Sequence, residues 1–326
     1  MKFGEVPISE AEGGILAHRV SNLGKGKVIT ADDVTLLDKQ GIETVVVARL
    51  QDGDIGEDEA AQLLAGALVG NTSGLRLTKA STGRVNVVAD VPGLAAVSAD
   101  VINAVNAVDP MVTVATVPDL HRLDAGSLLA TIKIISYAVP KEDVLRAVDH
   151  ASGGLGLHLP QPKTVSLIET YHGEEPQSDK GERALRTRLE ALGQTLETSD
   201  FAPHQIVRVA GKLTSDPSDI ICLLTASATS DARDIGPEAV RAAGGELIHF
   251  GMPVDPGNLL FLGRIGDQIV LGLPGCARSP ALNGADWVLE RLICGIDVRA
   301  SDIVGMGVGG LLKEIPTRPR PRRSHE

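Results

Sequence analysis

From Thr164 onward, short apolar runs alternate with amphipathic segments, and this alternation constrains the fold more than any other feature of the chain. Runs over 165–168, 220–224 and 247–250 predict strands, and segments over 179–192 and 237–243 predict helices. Strands joined through helices need crossover connections, which favour a largely parallel sheet carrying a helical layer on each face. The predicted fold class is therefore α/β, a three-layer αβα arrangement over 164–297. Leu185, Leu189 and Leu192 share one face of the first helix, which Gly193 ends. Pro237 opens the second helix and Gly244-Gly245 closes it. A hairpin over 259–263 and 268–273 turns through Ile265-Gly266-Asp267 and leads into Leu273-Pro274-Gly275.

The first part of the chain, 1–150, changes pattern faster and predicts a smaller α+β region. Helical runs over 31–39, 57–69 and 95–108 are separated by strand-like runs over 44–47, 84–88, 112–117 and 129–138. The stretch 151–163, ASGGLGLHLPQPK, concentrates Gly and Pro and predicts the linker between the two. Alternation fades after Ile296, and 311–326 ends in PTRPRPRRSHE, a Pro/Arg-rich tail with too few apolar residues to bury. DGDIGEDE at 52–59 lacks the spacing of a calcium loop and predicts a turn and a helix start.

Composition narrows the function. Aromatics are 2% of the chain, which removes the stacking platforms that single-stranded nucleic acids need. A formal charge of −11 argues against polyanions in general, so any anion site has to be local. Cys222, Cys276 and Cys294 show neither a disulfide framework nor zinc spacing, which fits a reducing cytoplasm. The first residues, MKFGEVPISEAEGG, lack basic and apolar signal regions, and no stretch reaches the roughly 18 apolar residues of a spanning helix. Secretion, membrane insertion and nucleic-acid binding are not expected.

Three segments fall where strands of a parallel sheet end, the usual place for ligands in α/β proteins. In the first, TASATSDARD at 225–234, Thr225, Ser227, Thr229 and Ser230 supply hydroxyls, and the small side chains let an anion reach backbone N–H groups. Asp231 and Asp234 lie beside that cradle, where a divalent cation such as Mg²⁺ would offset their repulsion of a phosphate; Asp234 can equally cap the helix that follows. The second segment is a turn at Pro256, Gly257 and Asn258. The third runs through Pro274, Gly275, Cys276, Arg278 and Ser279, with Arg278 offering a planar fork for phosphate or a pterin carbonyl. Cys276 reads as a small structural residue, and neither His172 nor His249 is assigned as a base.

Together these segments resemble the molybdopterin-binding domain (MoCF domain) shared by molybdopterin adenylyltransferases and molybdopterin molybdotransferases. That family carries Thr-Gly-Gly-x-Ser/Thr-x-x-x-x-Asp, then Pro-Gly-Lys-Pro, then Gly-Leu-Pro-Gly-Asn-Pro-x-Ser. Here TASATSDARD, PGNL at 256–259 and GLPGCARS at 272–279 follow in the same order and spacing. The resemblance implies catalytic roles for Asp234 and for Asp179, pterin-phosphate contacts from the loops, and Mg²⁺ at Asp231 and Asp234. The chain departs where Ala226-Ser227 replace the paired glycines, Asn258 replaces the Lys, and Thr170-Tyr171-His172-Gly173-Glu174 replace Thr-Gly-Asp-Glu. KGKVITADDVTLLDKQGIETVVV at 25–47 resembles a segment preceding this domain in the molybdotransferases, and GMGVGGLLKEIPTRPRPRR resembles a linker into a cytidylyltransferase-like domain. What the resemblance implies is molybdopterin (molybdenum cofactor) binding in cofactor maturation, for enzymes of the cytosine-dinucleotide type. A separate cytidylyltransferase or a molybdoenzyme would then be the partner. The alternatives are a transferase that inserts molybdenum or transfers a nucleotide, and a non-catalytic carrier; homo-oligomerisation is left open.

Overall fold

Val165–Tyr171, VSLIETY, is buried along all but its last residue, which is the environment of a strand inside a parallel sheet rather than at its edge. The computed structural model describes residues 1–176 and 178–312. It forms two units, Met1–His158 and a second that begins at Leu159.

The second unit consists of β1 (Val165–Tyr171), α1 (Lys180–Glu190), β2 (Thr198–Pro203), α2 (Ile206–Ser215), β3 (Ile220–Leu224), α3 (Ile235–Ala242), β4 (Glu246–Phe250), β5 (Phe261–Ile265), β6 (Gln268–Leu273), α4 (Gly284–Ile293) and α5 (Ala300–Gly305). Its six strands lie in the order β2-β1-β3-β6-β5-β4. The first four are mutually parallel, and β5 and β4 add an antiparallel edge. Alternate residues face opposite cores: Ile220, Cys222 and Leu224 join Leu185, Leu189, Val288 and Leu289 on one side, whereas Ile221 and Leu223 join Val209, Leu213, Ala239 and Val240 on the other. Helices α1 and α4 therefore cover one face and α2 and α3 the other, a three-layer α/β fold with a mostly parallel sheet.

A single aromatic shows how tightly one face is fitted. Phe261 pairs with Gly272 across the antiparallel strands, and a Cβ on Gly272 would lie 2.0 Å from the Phe261 ring. Only a bare backbone at 272 lets the ring lie flat on β6.

Three second-unit elements depart from the sequence expectation. Strand β2 and helix α2 were not predicted, because TSDFAP is polar for a strand and Ile206, Val207 and Val209 are β-branched. Yet Val209, Ala210 and Leu213 are buried at helical spacing, and that was readable. Helix α5 lies in the region where alternation had faded, and Ile303 is its buried residue.

The first unit is α+β with antiparallel pairings. Lys2–Pro7, Thr44–Arg49 and Ile15–Leu16 form one sheet; Leu75–Leu77, Arg84–Ala89, Leu128–Ile134 and Val112–Thr116 form another. The helix Glu57–Val69 buries Ala60, Ala61, Leu64, Ala65 and Leu68 against the second of these. Four expectations are corrected. The helix expected over 95–108 is Ala99–Asn106, capped by Ser98, because Gly93–Val97 is a strand. The single run 129–138 is two strands, Leu128–Ile134 and Ala138–Pro140. Lys141–His150 is a helix that was not predicted. Inside the expected linker, Leu155–His158 pairs antiparallel with that Gly93–Val97 strand. Of the expected tail, Leu312 donates its N–H to Asp255 (2.9 Å), and 313–326 lie outside the described residues.

Candidate functional site

Parallel pairing brings Glu169 opposite Leu224, and Leu224 opposite Leu273, so β1, β3 and β6 end together and their following loops leave the same sheet edge. The 225–234 and 274–283 loops are thus neighbours by register rather than by sequence. Among the described residues, the backbone N–H groups of Ser227, Ala228, Thr229, Gly275 and Cys276 donate to no protein acceptor. Ser227, Ala228, Gly275 and Cys276 are exposed and Thr229 is buried. Backbone N–H groups left unpaired on two adjacent loops are the kind of donor that can meet an anion.

Arg278 joins the strand ends. Its Nη2 donates to the Thr225 carbonyl (3.2 Å) and lies 3.5 Å from Glu169 Oε2, while the side chain stays one third exposed. Glu169 itself is buried, and its Oε1 has no hydrogen-bond partner among the described residues. Burial pushes the Glu169 carboxyl above the usual carboxylate range, and the Arg278 guanidinium and the Glu182 backbone N–H pull the other way. Helix α1 passes so close that a Cβ on Gly181 would meet Glu169 Oε1 at 2.4 Å. Sequence reasoning ended the strand at Ile168 and missed this carboxylate; an acid directly following the apolar pair Leu167-Ile168 was the available signal.

The 225–234 loop is held by hydroxyls. Thr225 Oγ1 donates to the Ser227 carbonyl (2.8 Å) and lies 3.1 Å from Thr229 Oγ1. Ala226 N–H donates to Thr170 Oγ1 (2.7 Å), which ties the loop to the end of β1. Thr170 Oγ1 is also 2.8 Å from His204 Nδ1, and Ser227 Oγ is 3.1 Å from His204 Nε2. The His172 and His204 rings meet edge to face at 4.7 Å. His204 follows β2, the strand that was not predicted, which is why sequence reasoning passed over it. Burial first, and then neighbouring His172, lower the His204 pKa, with Asp234 opposing them.

The expected carboxylates have local duties. Asp234 caps α3: Oδ1 accepts Ile235 N–H (2.8 Å) and Oδ2 accepts Ser230 N–H (3.0 Å). Asp231 Oδ1 accepts Arg233 N–H (2.8 Å), a bond that holds its pKa below the usual range. Asp179 stands at the N-cap of α1 and pairs with Arg183 at 3.2 Å, away from both loops' hydrogen-bond networks. No cluster of three or more His, Cys, Asp or Glu that could hold a metal exists among the described residues. Asp234 has both oxygens on backbone N–H groups and Asp231 has one, and with no third ligand-type residue grouped with them no step is routed through Mg²⁺.

A buried cation shapes the 274–283 loop. Arg188 of α1 donates to the carbonyls of Ala277 (3.0 Å), Ser279 (2.8 Å) and Ala281 (3.3 Å), and its Nε donates to Asp286. Asn283 caps α4, and its Nδ2 donates to Cys276 Sγ (2.9 Å). Pro274 closes the turn by accepting Ala277 N–H (2.8 Å), and Ser279 N–H donates to the Cys276 carbonyl (3.1 Å). The Pro256–Asn258 turn supports this loop from beneath. The Pro256 carbonyl accepts Gly284 N–H (2.8 Å), a Cβ on Gly257 would approach Gly284 N at 2.9 Å, and Asn258 Nδ2 donates to the Met252 carbonyl (3.2 Å).

With that geometry in view, comparisons with known proteins add the following. A family model described as a domain of unknown function (DUF8806) matches residues 5–49. No curated protein matches the chain. Among solved structures, the chain is similar to the molybdopterin biosynthesis MoeA protein from Pyrococcus horikosii, at 14% identity and a TM-score of 0.31, over 90% of this chain and 75% of that one. Molybdenum cofactor biosynthesis protein B matches at 15% identity and a TM-score of 0.30, over 42% of this chain and 91% of that one. A molybdenum cofactor biosynthesis protein from Pyrococcus furiosus matches at 10% identity and a TM-score of 0.26, over 93% of this chain and 65% of that one. Likenesses this weak assign no activity. No helix among the described residues is long and apolar enough to cross a membrane.

Proposed function

We propose that the second unit binds the phosphate of a molybdopterin-type pterin at the 225–230 and 274–279 loops and serves molybdenum-cofactor maturation. The observation that carries this reading is the set of unpaired N–H groups on two adjacent strand-end loops, with Arg278 of the second loop reaching the carbonyl that begins the first. Backbone donors at a strand-to-helix turn and one guanidinium are the standard means of holding a phosphate. The order and spacing of the three motif segments, and their resemblance to the molybdopterin-binding domain, select a pterin phosphate among phosphates.

Binding without turnover is the better-supported form of this reading. Asn258 stands where the resembled family has Lys, and its amide is bonded to the Met252 carbonyl. Asp234 spends both carboxylate oxygens on backbone N–H groups of its own loop and helix. The protein then works as a carrier that passes cofactor to a separate cytidylyltransferase or to a molybdoenzyme of the cytosine-dinucleotide type. In that role the loop N–H groups and Arg278 bind the phosphate, and Ser227 and Thr229 orient it.

Titration of molybdopterin into the parent and into Arg278→Ala, with and without EDTA, tests the proposal. The parent is expected to bind in both conditions. The variant should lose about 1–3 kcal/mol of binding free energy, the range of one charge-assisted contact. Equal binding by both would make these loops structural turns. Mass spectrometry of pterin carried through purification checks the ligand independently.

A further inference from the structure

The imidazole of His204 is the one side chain at this sheet edge with a hydroxyl on each ring nitrogen, and the hydrogens of the surrounding groups determine its direction. Thr170 Oγ1 accepts Ala226 N–H at 2.7 Å and is itself 3% exposed. Its own hydroxyl hydrogen has one acceptor within reach among the described residues, His204 Nδ1 at 2.8 Å. A buried hydroxyl hydrogen left without an acceptor costs about 1–3 kcal/mol, so Thr170 donates to Nδ1. Nδ1 is then unprotonated, and the ring's proton sits on Nε2, which donates to Ser227 Oγ at 3.1 Å. Ser227 is left with a free hydroxyl hydrogen on an exposed side chain, beside the unpaired N–H groups of 227–229.

We infer that Thr170, His204 and Ser227 form a one-way hydrogen-bond relay, from the Ala226 N–H to the Ser227 hydroxyl, that aims a polarised donor at an oxyanion in the 225–230 loop. The inference rests on the reading of that loop as a phosphate site and names a part of it that sequence did not find. Each member both accepts and donates in the same sense, so the bonds polarise one another. The relay requires a neutral imidazole, and burial together with neighbouring His172 disfavours a second proton on the ring, with Asp234 opposing them. It also sets a ligand requirement. The group facing Ser227 must present an acceptor lone pair, and an anionic phosphate oxygen is the strongest acceptor of this kind. His204 and Thr170 touch no ligand and are positioning residues.

Long-range proton–nitrogen NMR spectra of the histidine rings in the full chain, with His204 assigned through His204→Gln, read the tautomer directly. The parent at pH 7.5 should show His204 with its proton on Nε2. Thr170→Val should abolish that preference and weaken binding of inorganic phosphate roughly fivefold to tenfold, the value of about one ordinary hydrogen bond, because the Ser227 donor is misdirected rather than removed. Thr170→Ser should restore both, and His204→Gln, whose amide also donates toward Ser227, should bind more tightly than His204→Phe. An Nδ1–H tautomer or an imidazolium in the parent overturns the relay, as does unaltered phosphate binding by Thr170→Val. If the parent binds phosphate in an Arg278-dependent way but shows the wrong tautomer, the relay alone fails. If the parent binds no phosphate, the anion-site reading fails and the relay falls with it.

Discussion

The two loops at the site reach similar ends by different means. Residues 225–234 are held by neutral hydroxyls and a cap: Thr170, Thr225, Thr229, the Ser227–His204 pair and Asp234. Residues 274–283 are held by one cation, Arg188, on three carbonyls and on Asp286. Each bond in the first loop is worth on the order of 1 kcal/mol and can be exchanged for a bond to ligand or water. The second loop concentrates its support in an ion pair shielded from solvent, with side-chain exposures of 12% and 8%. Removing one partner of such a pair leaves a buried charge alone. The first loop is therefore built to respond to a ligand and the second to stay in place.

The largest effect should follow from cutting the cation. Arg188→Leu removes the cation that faces the buried Asp286 carboxylate and leaves three carbonyls without this donor, and a loss of about 3–5 kcal/mol is expected in denaturant unfolding. A loss below about 1 kcal/mol would mean that the second loop is held as diffusely as the first. Asp234→Asn is the matching cut in the first loop. A neutral amide oxygen still accepts one N–H, so the cost should be about 1 kcal/mol. Phosphate binding should hold or rise, because a like charge has left its vicinity; a fall in affinity would show that the carboxylate itself serves the ligand. The smallest effect is chemical. Cys276 is exposed on the rigid loop, whereas Cys222 and Cys294 are buried, and burial pushes the Cys222 thiol up to about 12. Under native conditions iodoacetamide should label Cys276 alone, with no change in the unfolding midpoint, and block phosphate binding. Labelling at all three residues at similar rates would show that β3 and the end of α4 open as readily as the second loop.

Much of the second unit was legible because its strands and helices obey local rules. Leu185, Leu189 and Leu192 mark a helix face by spacing, and Ile220–Leu224 is apolar throughout, as a strand buried on both faces must be. The elements that were missed, β2 and α2, carry their apolar residues in mixed company, so local preference pointed the wrong way until the neighbouring strand supplied the burial. The loop positions were also legible, since small residues, Gly and Pro mark where strands stop. What each side chain does there was not. Asp234 reads equally well as a metal ligand and as a helix cap, and nothing within the loop's own ten residues separates the two.

By itself the sequence determined periodicity and punctuation, and hence an α/β second unit whose chemistry gathers at 225–234 and 272–280. Both are properties of a few consecutive residues, set by side-chain alternation and by the φ preferences of Gly and Pro. Tertiary structure decided which donors are free and which charges are spent. Arg188 reads as a solvated helix charge until Asp286, 98 residues later, meets it under the 274–283 loop. His204 lies 34 residues from Thr170 and 23 from Ser227, and its tautomer follows from where their hydroxyls sit. Hydrogen-bond satisfaction and charge pairing depend on neighbours in space, which only strand register brings together.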